Sequence, residues 1–541
     1  MVHLLILLFL FSGEFVPQTC FQGRFGEEVG SGEFGVTIMA HSSDNDGTRQ
    51  RSILRLSFIE VYYAGQAFRL GRYPVHFHMN GIMSESYAYG LAIHKTFNRA
   101  INIHGSHQVR IEWVVAYNVM GGALFLEDGI ETKNYYGHVL VLFCKASSSL
   151  LNDDITPAGF WATNPDNTYE FCHAAGGTHF AFWFKMDEHP LGPSATSSVC
   201  PRHVPLLRFF GNVGHSQGWF GIWIFPDYYP RVGGACGWAE TELAIFDNFF
   251  SWHNEKGIEF VNAGAIQIHN SLFVGNKKAG YEGKQLVGSD RRDEVKSPGI
   301  RNSVIVGKST IADVQSTGHA TKCALVLPYG DTFMVYDVTF HNFDDADQTA
   351  LCFTKIDGTC SDQCGTYEYP VSGLVFNNVL NRLWFEWANQ GRFQDKDGSL
   401  SGTANALIVA GDRTDIVCGS EMPGYKNTGL FVPALVCDGS WHFHRLAFNN
   451  ISPASLAGKD FICENANGQI RSPFMTHRLT HPDGWVVDLK SDETYYCYFD
   501  NAEDMTNISF SGQMNELRVR NSNVFYIFSI HFSSVFLNKR I

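Results

Sequence analysis

Charge is what this chain most lacks. Of its 541 residues only 17% are charged, against roughly 25% in an average soluble domain. Basic charge is the scarcer sign: Lys+Arg number 40 against Asp+Glu 54, a net charge of −14. Neutralising phosphates needs a basic face, so a nucleic-acid partner is excluded and anionic membrane surfaces are disfavoured. Long apolar runs are missing too. The tail stretch Val524 to Leu537 holds His531 and several serines and is too short and polar for a span of about 20 residues, so no transmembrane segment is expected in this chain. Proline is modest at 18. Paired zinc-type cysteines are absent: Cys360 and Cys364 form a lone C-x3-C with no second pair to complete a zinc site. Spacing therefore assigns no metal ligand set.

What remains is apolar and rich in turns. Hydrophobic residues make up 45%, with Gly at 52 and Phe at 44, which excludes disorder, collagen and coiled coil and suits a large β-rich core. The 13 cysteines are scattered and read mostly as disulfides of an oxidising compartment. Their odd number leaves at least one thiol without a partner in this chain. Met1 to Ser12 is a short apolar stretch resembling a secretory signal without its basic flank. Residues 1–19 are accordingly expected to be signal-like or a gene-model N-terminus. The sequons at Asn450 and Asn507 are expected glycosylation sites in a secreted chain.

Apolar alternation of period two recurs in short blocks that can be overlaid. Ala92 to Ile103 lies over Val115 to Leu126 at an offset of 23 residues, and Gly257 and Gly280 repeat that step. The same small-residue-then-alternation pattern opens Ala181-Phe-Trp-Phe184 and Gly221-Ile-Trp-Ile224. A rung of about 20–25 residues with polar turns predicts an all-β, right-handed parallel β-helix (pectin-lyase-like), each coil burying its apolar residues against its neighbours. A propeller blade needs about 40 residues, and a leucine-rich solenoid needs a fixed leucine frame that is missing. The wider spacing from Leu126 to Gly257 implies insertions on one side of some coils. The ladder is expected over residues 20–400. A smaller C-terminal β module is expected over 401–520, carrying strands near Trp441 and Trp485, and a tail over 521–541.

The densest polar cluster lies between Arg72 and Asp128. Alternation in Tyr73-Pro-Val-His-Phe-His78 sends Val75 and Phe77 to one face and His76 and His78 to the other. It likewise sends Asn102 and His104, then Phe125 and Glu127, away from the coil interior, and the 23-residue offset stacks His104 on Glu127. Asp128 follows at the turn. Imidazoles beside a carboxylate pair can serve as general acid and base on a glycosidic bond or hold a divalent metal. They can equally form a polar ladder that satisfies hydrogen bonds between coils. Trp161, Trp183, Trp219 and Trp223 suit either a sugar platform or the core, and alternation favours the core. His215-Ser-Gln-Gly218 is expected to be a turn between coils. Asp395-Lys-Asp-Gly398 resembles part of a calcium loop but lacks the later ligands and the closing Glu, so it is read as a loop.

At these same residues the chain resembles the fibrocystin and fibrocystin-L family of G8-domain, parallel β-helix proteins. The matching blocks run in order from Thr19-Cys-Phe-Gln-Gly-Arg-Phe25 and Gly71-Arg-Tyr-Pro-Val-His-Phe-His78 through Glu127-Asp-Gly129, Phe160-Trp-Ala-Thr-Asn-Pro165 and His215-Ser-Gln-Gly-Trp-Phe220 to Arg478-Leu-Thr-His481. The resemblance implies part of a large cell-surface, receptor-like protein that presents a β-helix to extracellular glycans or surface proteins. It also implies either a truncated gene model or a short secreted paralogue, since the G8 and immunoglobulin-like modules of the family are not visible here. A more distant branch, the cell-surface and secreted hyaluronidases, shares the Gly71–His78 block and the Glu127-Asp-Gly129 turn. It implies Arg72, His76, His78 and Asp128 as the positions for glycoside cleavage, with calcium as a cofactor of that activity. His104 and Glu127, stacked by the 23-residue offset, are expected to be ligand-binding residues. The expected function is a non-enzymatic glycan- or protein-binding module with no cofactor; hyaluronan degradation is the alternative enzyme reading, and a structural spacer in a surface coat a third.

Overall fold

The computed structural model describes residues 10–12, 34–42, 52–67, 69–146, 152–286, 296–310, 319–330, 333–354, 367–386, 391–411, 420–423, 432–437, 443–452, 454–466, 468–472, 474, 484–490, 495–500, 509–513, 518–521, 524–527 and 535–536. Cys20, Cys360, Cys364, Cys418 and Asn507 lie outside these residues, as does the side chain of Asn450.

Each coil contributes three short strands, and each strand pairs in parallel with its counterpart one coil on. One ladder climbs through Tyr87–Tyr89, Arg110–Glu112, Tyr135–Gly137 and Thr168–Glu170. A second climbs through Ala92–His94, Val115–Met120, Leu140–Lys145 and His173–Ala175. The third forms an 11-stranded sheet from Ile38–His41 to Thr349–Phe353. Crossovers between parallel strands are right-handed, so the body is a right-handed parallel β-helix.

The third ladder shows how the sequence specifies the stack. Its register joins Val75, Ile101, Leu124, Phe160, Phe182, Ile222, Ile258, Tyr281, Leu325 and Leu351 in one continuous inward row. All are buried, and each contributes about 1.5–3 kcal/mol by leaving water. The 23-residue step appears as the pairs Ile101↔Leu124 and Ile258↔Tyr281. Between these steps the chain departs into insertions, including residues 186–207 and 229–243, and then returns to register. Small residues before the inward row are required by the closeness of the coils: a Cβ on Gly221 would stand 2.5 Å from the Gly257 carbonyl oxygen.

Corners between the first two ladders take the left-handed conformation coil after coil, at Phe58, Trp113, His138, Phe171, Asn248 and Asn270. Each costs about 1–2 kcal/mol in a non-glycine residue, offset by regular bonds such as Trp113 N–H to the Gly137 carbonyl at 3.1 Å. His215-Ser216 makes such a corner in the second ladder: Ser216 has φ 52° and the turn reading holds. In Asp395-Lys-Asp-Gly398 the Asp395 carboxylate is consumed by N–H groups of Gly398, Leu400 and Ser401, as a loop-closing group.

After Asp395 the pairing changes sense. Gly391–Asp395 still pairs in parallel with Tyr367–Val371, then runs antiparallel to Ala406–Ala410. Beyond it stand antiparallel sheets built on Phe443–Ser452 with Gly484–Lys490, and on Phe461–Asn465 with Gly468–Ser472 and Tyr496–Phe499. Disulfides join Cys200 to Cys236, Cys323 to Cys352 and Cys463 to Cys497, and Cys437 is also disulfide-bonded. Cys144 and Cys172 are instead free and buried, their thiols pushed up to about 12 by burial. No helix among the described residues is long and apolar enough to cross a membrane.

Candidate functional site

Opposite the inward row, the third ladder carries an outward one. Register places Met39, His76, Asn102, Phe125, Trp161, Trp183, Trp223, Glu259, Glu282, Val326 and Cys352 in line up this face. A second line, two residues further along, joins His41, His78 and His104. Alternation thus puts the expected histidines where the sequence places them. Outward does not mean exposed, however: His76, Asn102, His104 and Asp128 are buried, and at Asp128 an insertion supplies the cover. Ser194 N–H, from the insertion over 186–207, donates to Asp128 Oδ2 at 3.1 Å, and Leu191 N–H bonds the Asp128 carbonyl at 2.8 Å.

At the lower end the imidazoles interlock. His104 Nε2 lies 2.9 Å from Asp128 Oδ2, and His104 Nδ1 lies 3.1 Å from His78 Nδ1 and 3.6 Å from Glu127 Oε2. His76 Nδ1 faces the Gly71 carbonyl at 3.1 Å, while its Nε2 is buried with no hydrogen-bond partner, as is Asn102 Oδ1. Burial, reinforced by the neighbouring imidazoles, depresses His76 to about 3 and His78 to about 4. Both are neutral near pH 7. Burial pushes His104 the same way, but the Asp128 hydrogen bond and the Glu127, Asp128 and Glu131 charges outweigh it and raise its pKa. Burial acts to raise Asp128, yet the bonds from His104 and Ser194 hold it below the usual range.

The carboxylates here are committed. Glu127 Oε2 accepts from Asn102 Nδ2 at 2.6 Å. Fully buried Glu131, which sequence reasoning missed, accepts the N–H groups of Gly105, Asp128 and Gly129. Its signal lay in the same Glu127-Asp-Gly-Ile-Glu131 block. Arg72 is exposed, and its guanidinium has no hydrogen bond or ion pair among the described residues. Near this cluster Arg99 is buried instead, bonded to Asp154 and Tyr73 with its guanidinium 3.6 Å over the Phe125 ring.

Above the histidines the row turns aromatic. Trp161 and Trp183 are buried as expected, but in a cluster outside the coil interior with Phe125, Phe180 and Phe220. Trp223 packs against that cluster, donates to Glu259 at 3.0 Å and lies flat on exposed Phe225, ring centroids 4.7 Å apart. Trp219 is 40% exposed beside His179. The run ends on Lys256, bonded to Glu259 and to Glu282.

These ladders define the class, a parallel β-helix with insertions packed over one outer face. A family model described as the CEMIP beta-helix matches residues 34–222. The chain resembles the fibrocystin and fibrocystin-L family: it is 41% identical to human Fibrocystin-L over 505 residues, 92% of this chain and 12% of that protein. Mouse cell migration-inducing and hyaluronan-binding protein is 28% identical over 444 residues, 66% of this chain and 32% of that one. Human cell surface hyaluronidase CEMIP2 is 26% identical over 358 residues, 53% of this chain and 25% of that protein. The chain thus spans about an eighth to a third of the length of these relatives.

Proposed function

We propose that this chain is an extracellular β-helix region of a surface or secreted protein whose outer face binds glycans without cleaving them. One observation carries the non-enzymatic part: every carboxylate beside the histidines is spent on an internal hydrogen bond. Glycoside cleavage needs one carboxyl group free to protonate the leaving oxygen and another facing the sugar. Asp128 is closed off by His104 and Ser194, Glu127 by Asn102, and Glu131 by three backbone N–H groups. Binding is supported by the half-open aromatic end of the row, where Trp219, Trp223 and Phe225 offer ring surface for sugar C–H faces. The alternative, hyaluronan cleavage, is favoured by the relation to a named hyaluronidase and by half-exposed His78 beside the His104–Asp128 pair.

One experiment separates them. Purified chain is incubated with labelled hyaluronan with and without calcium, and polymer size and bound fraction are followed together. Retained size with saturable binding supports the proposal; size reduction that disappears in Asp128→Asn overturns it in favour of cleavage.

A further inference from the structure

The three imidazoles converge on one another. A nitrogen from each of His76, His78 and His104 lies within 4.8 Å of one from each of the other two. Their outer partners fix which nitrogens face inward. A carbonyl only accepts, so His76 carries its proton on Nδ1 toward Gly71 and its lone pair on Nε2. His104 donates its Nε2–H to the Asp128 carboxylate, leaving the His104 Nδ1 lone pair 3.1 Å from His78 Nδ1. Metal-bound imidazoles are oriented in this way, with the far N–H held by a carboxylate or backbone carbonyl.

Two further features point the same way. His76 Nε2 and Asn102 Oδ1 sit on adjacent coils, both buried and without partner, and both are lone-pair atoms that call for a cation or a donor. Zinc–nitrogen bonds of about 2.0–2.1 Å place neighbouring ligand nitrogens about 3.3 Å apart in a tetrahedron, close to the His78–His104 spacing. A simple N–H···N bond between those two rings would leave His76 Nε2 unexplained.

We propose that His76 Nε2, His78 Nδ1 and His104 Nδ1 form a three-imidazole site for a divalent transition metal of the zinc type, with Asp128 and the Gly71 carbonyl as positioning groups. Imidazole suits zinc, nickel and copper, whereas calcium takes oxygen ligands. Half-exposed His78 leaves a fourth position open to water or to a ligand's oxygen, the arrangement of zinc sites that keep an exchangeable position. The second histidine–sulfur grouping, His189 with Cys200 and Cys236, does not compete, because those sulfurs are joined in a disulfide.

The test uses the full chain, stripped with a chelator, dialysed and titrated with Zn²⁺ and separately with Co²⁺ at pH 7.5. One equivalent of Zn²⁺ is expected, with a rise in melting temperature and a visible Co²⁺ d–d band. His78→Gln, at a half-exposed position that leaves the core intact, should abolish the band and weaken zinc at least about 100-fold. Asp128→Asn should weaken it about 10–100-fold and shift the band, which a merely structural role would not do. His215→Gln should leave both unchanged. No zinc bound, zinc bound equally by His78→Gln, or zinc lost on His189→Ala instead would each overturn the site.

Discussion

Two histidine groups lie on this β-helix, one aligned by strand register and one brought together by ring contacts. On the third ladder His41, His78 and His104 line up beside His76. On the second ladder His215 is in register with Trp252, on which its ring stacks at 3.7 Å, while His173, in register with Val213, reaches the His215 ring at 4.9 Å, and His253 follows Trp252 along the chain. Both groups contain buried nitrogens without partners, among them His173 Nε2 and His253 Nε2. An orphan atom alone therefore distinguishes nothing. The difference lies in what faces the rings. Carboxylates from a turn and an N–H from an insertion reach the first group, and its nitrogens converge. The second group has aromatic neighbours, and among the described residues its nitrogens form no close set of three. Stacking supplies the group; the insertion and the turn give it chemistry.

Substitutions can break that contrast, and the largest effect is expected at Glu131. Glu131→Ala strands three buried N–H donors, each costing about 1–3 kcal/mol, so urea unfolding should show a loss of at least about 3 kcal/mol. Next comes Asp128→Asn, expected to cost about 1.5–3 kcal/mol at pH 5. In the chelator-stripped, metal-free chain, His104's raised pKa means the folded chain holds that proton more tightly than the unfolded chain. The stabilisation is whole below about pH 6.5 and fades as pH climbs past the raised value, so the gap between wild type and variant should narrow in alkaline buffer.

The second group should show the opposite sign. Burial, then His173 and His253, holds His215 down at about 4. Its contribution is whole above about pH 6.5 and is lost as pH falls through about 4. His215→Gln should therefore flatten the acid limb of the stability profile, measured by unfolding midpoints from pH 7 to 3.5; an unchanged limb would refute the assignment. The smallest stability effect belongs to Trp219→Ala, within about 0.5 kcal/mol because the residue is exposed. The same variant should weaken glycan binding about tenfold, or about 1.4 kcal/mol, read by titration with hyaluronan oligosaccharides.

Much of this was legible from residue order. Two-residue alternation fixed the faces of Val75 to His78, though not of the irregular stretch that follows, and the 23-residue offset placed Glu127 beside His104, as the 3.6 Å contact bears out. Local periodicity suffices because each coil meets only its neighbours. What stayed hidden came from the insertions. Nothing in the spacing says that Ser194, 66 residues from Asp128, closes its carboxylate. The Gly71 carbonyl behind His76 was equally invisible, since any residue offers a carbonyl.

Two disulfides of the helical stack add a mechanical property. Cys200–Cys236 ties together two successive insertions and Cys323–Cys352 two successive rungs. A stack held only by nearest-neighbour contacts peels from its ends one coil at a time under tension. Each clamp interrupts that peeling, because the coils it joins must let go together and the chain between its cysteines, 36 positions apart in the first clamp, cannot lengthen. Pulled along its axis, the molecule yields in blocks whose length is set by where the clamps lie.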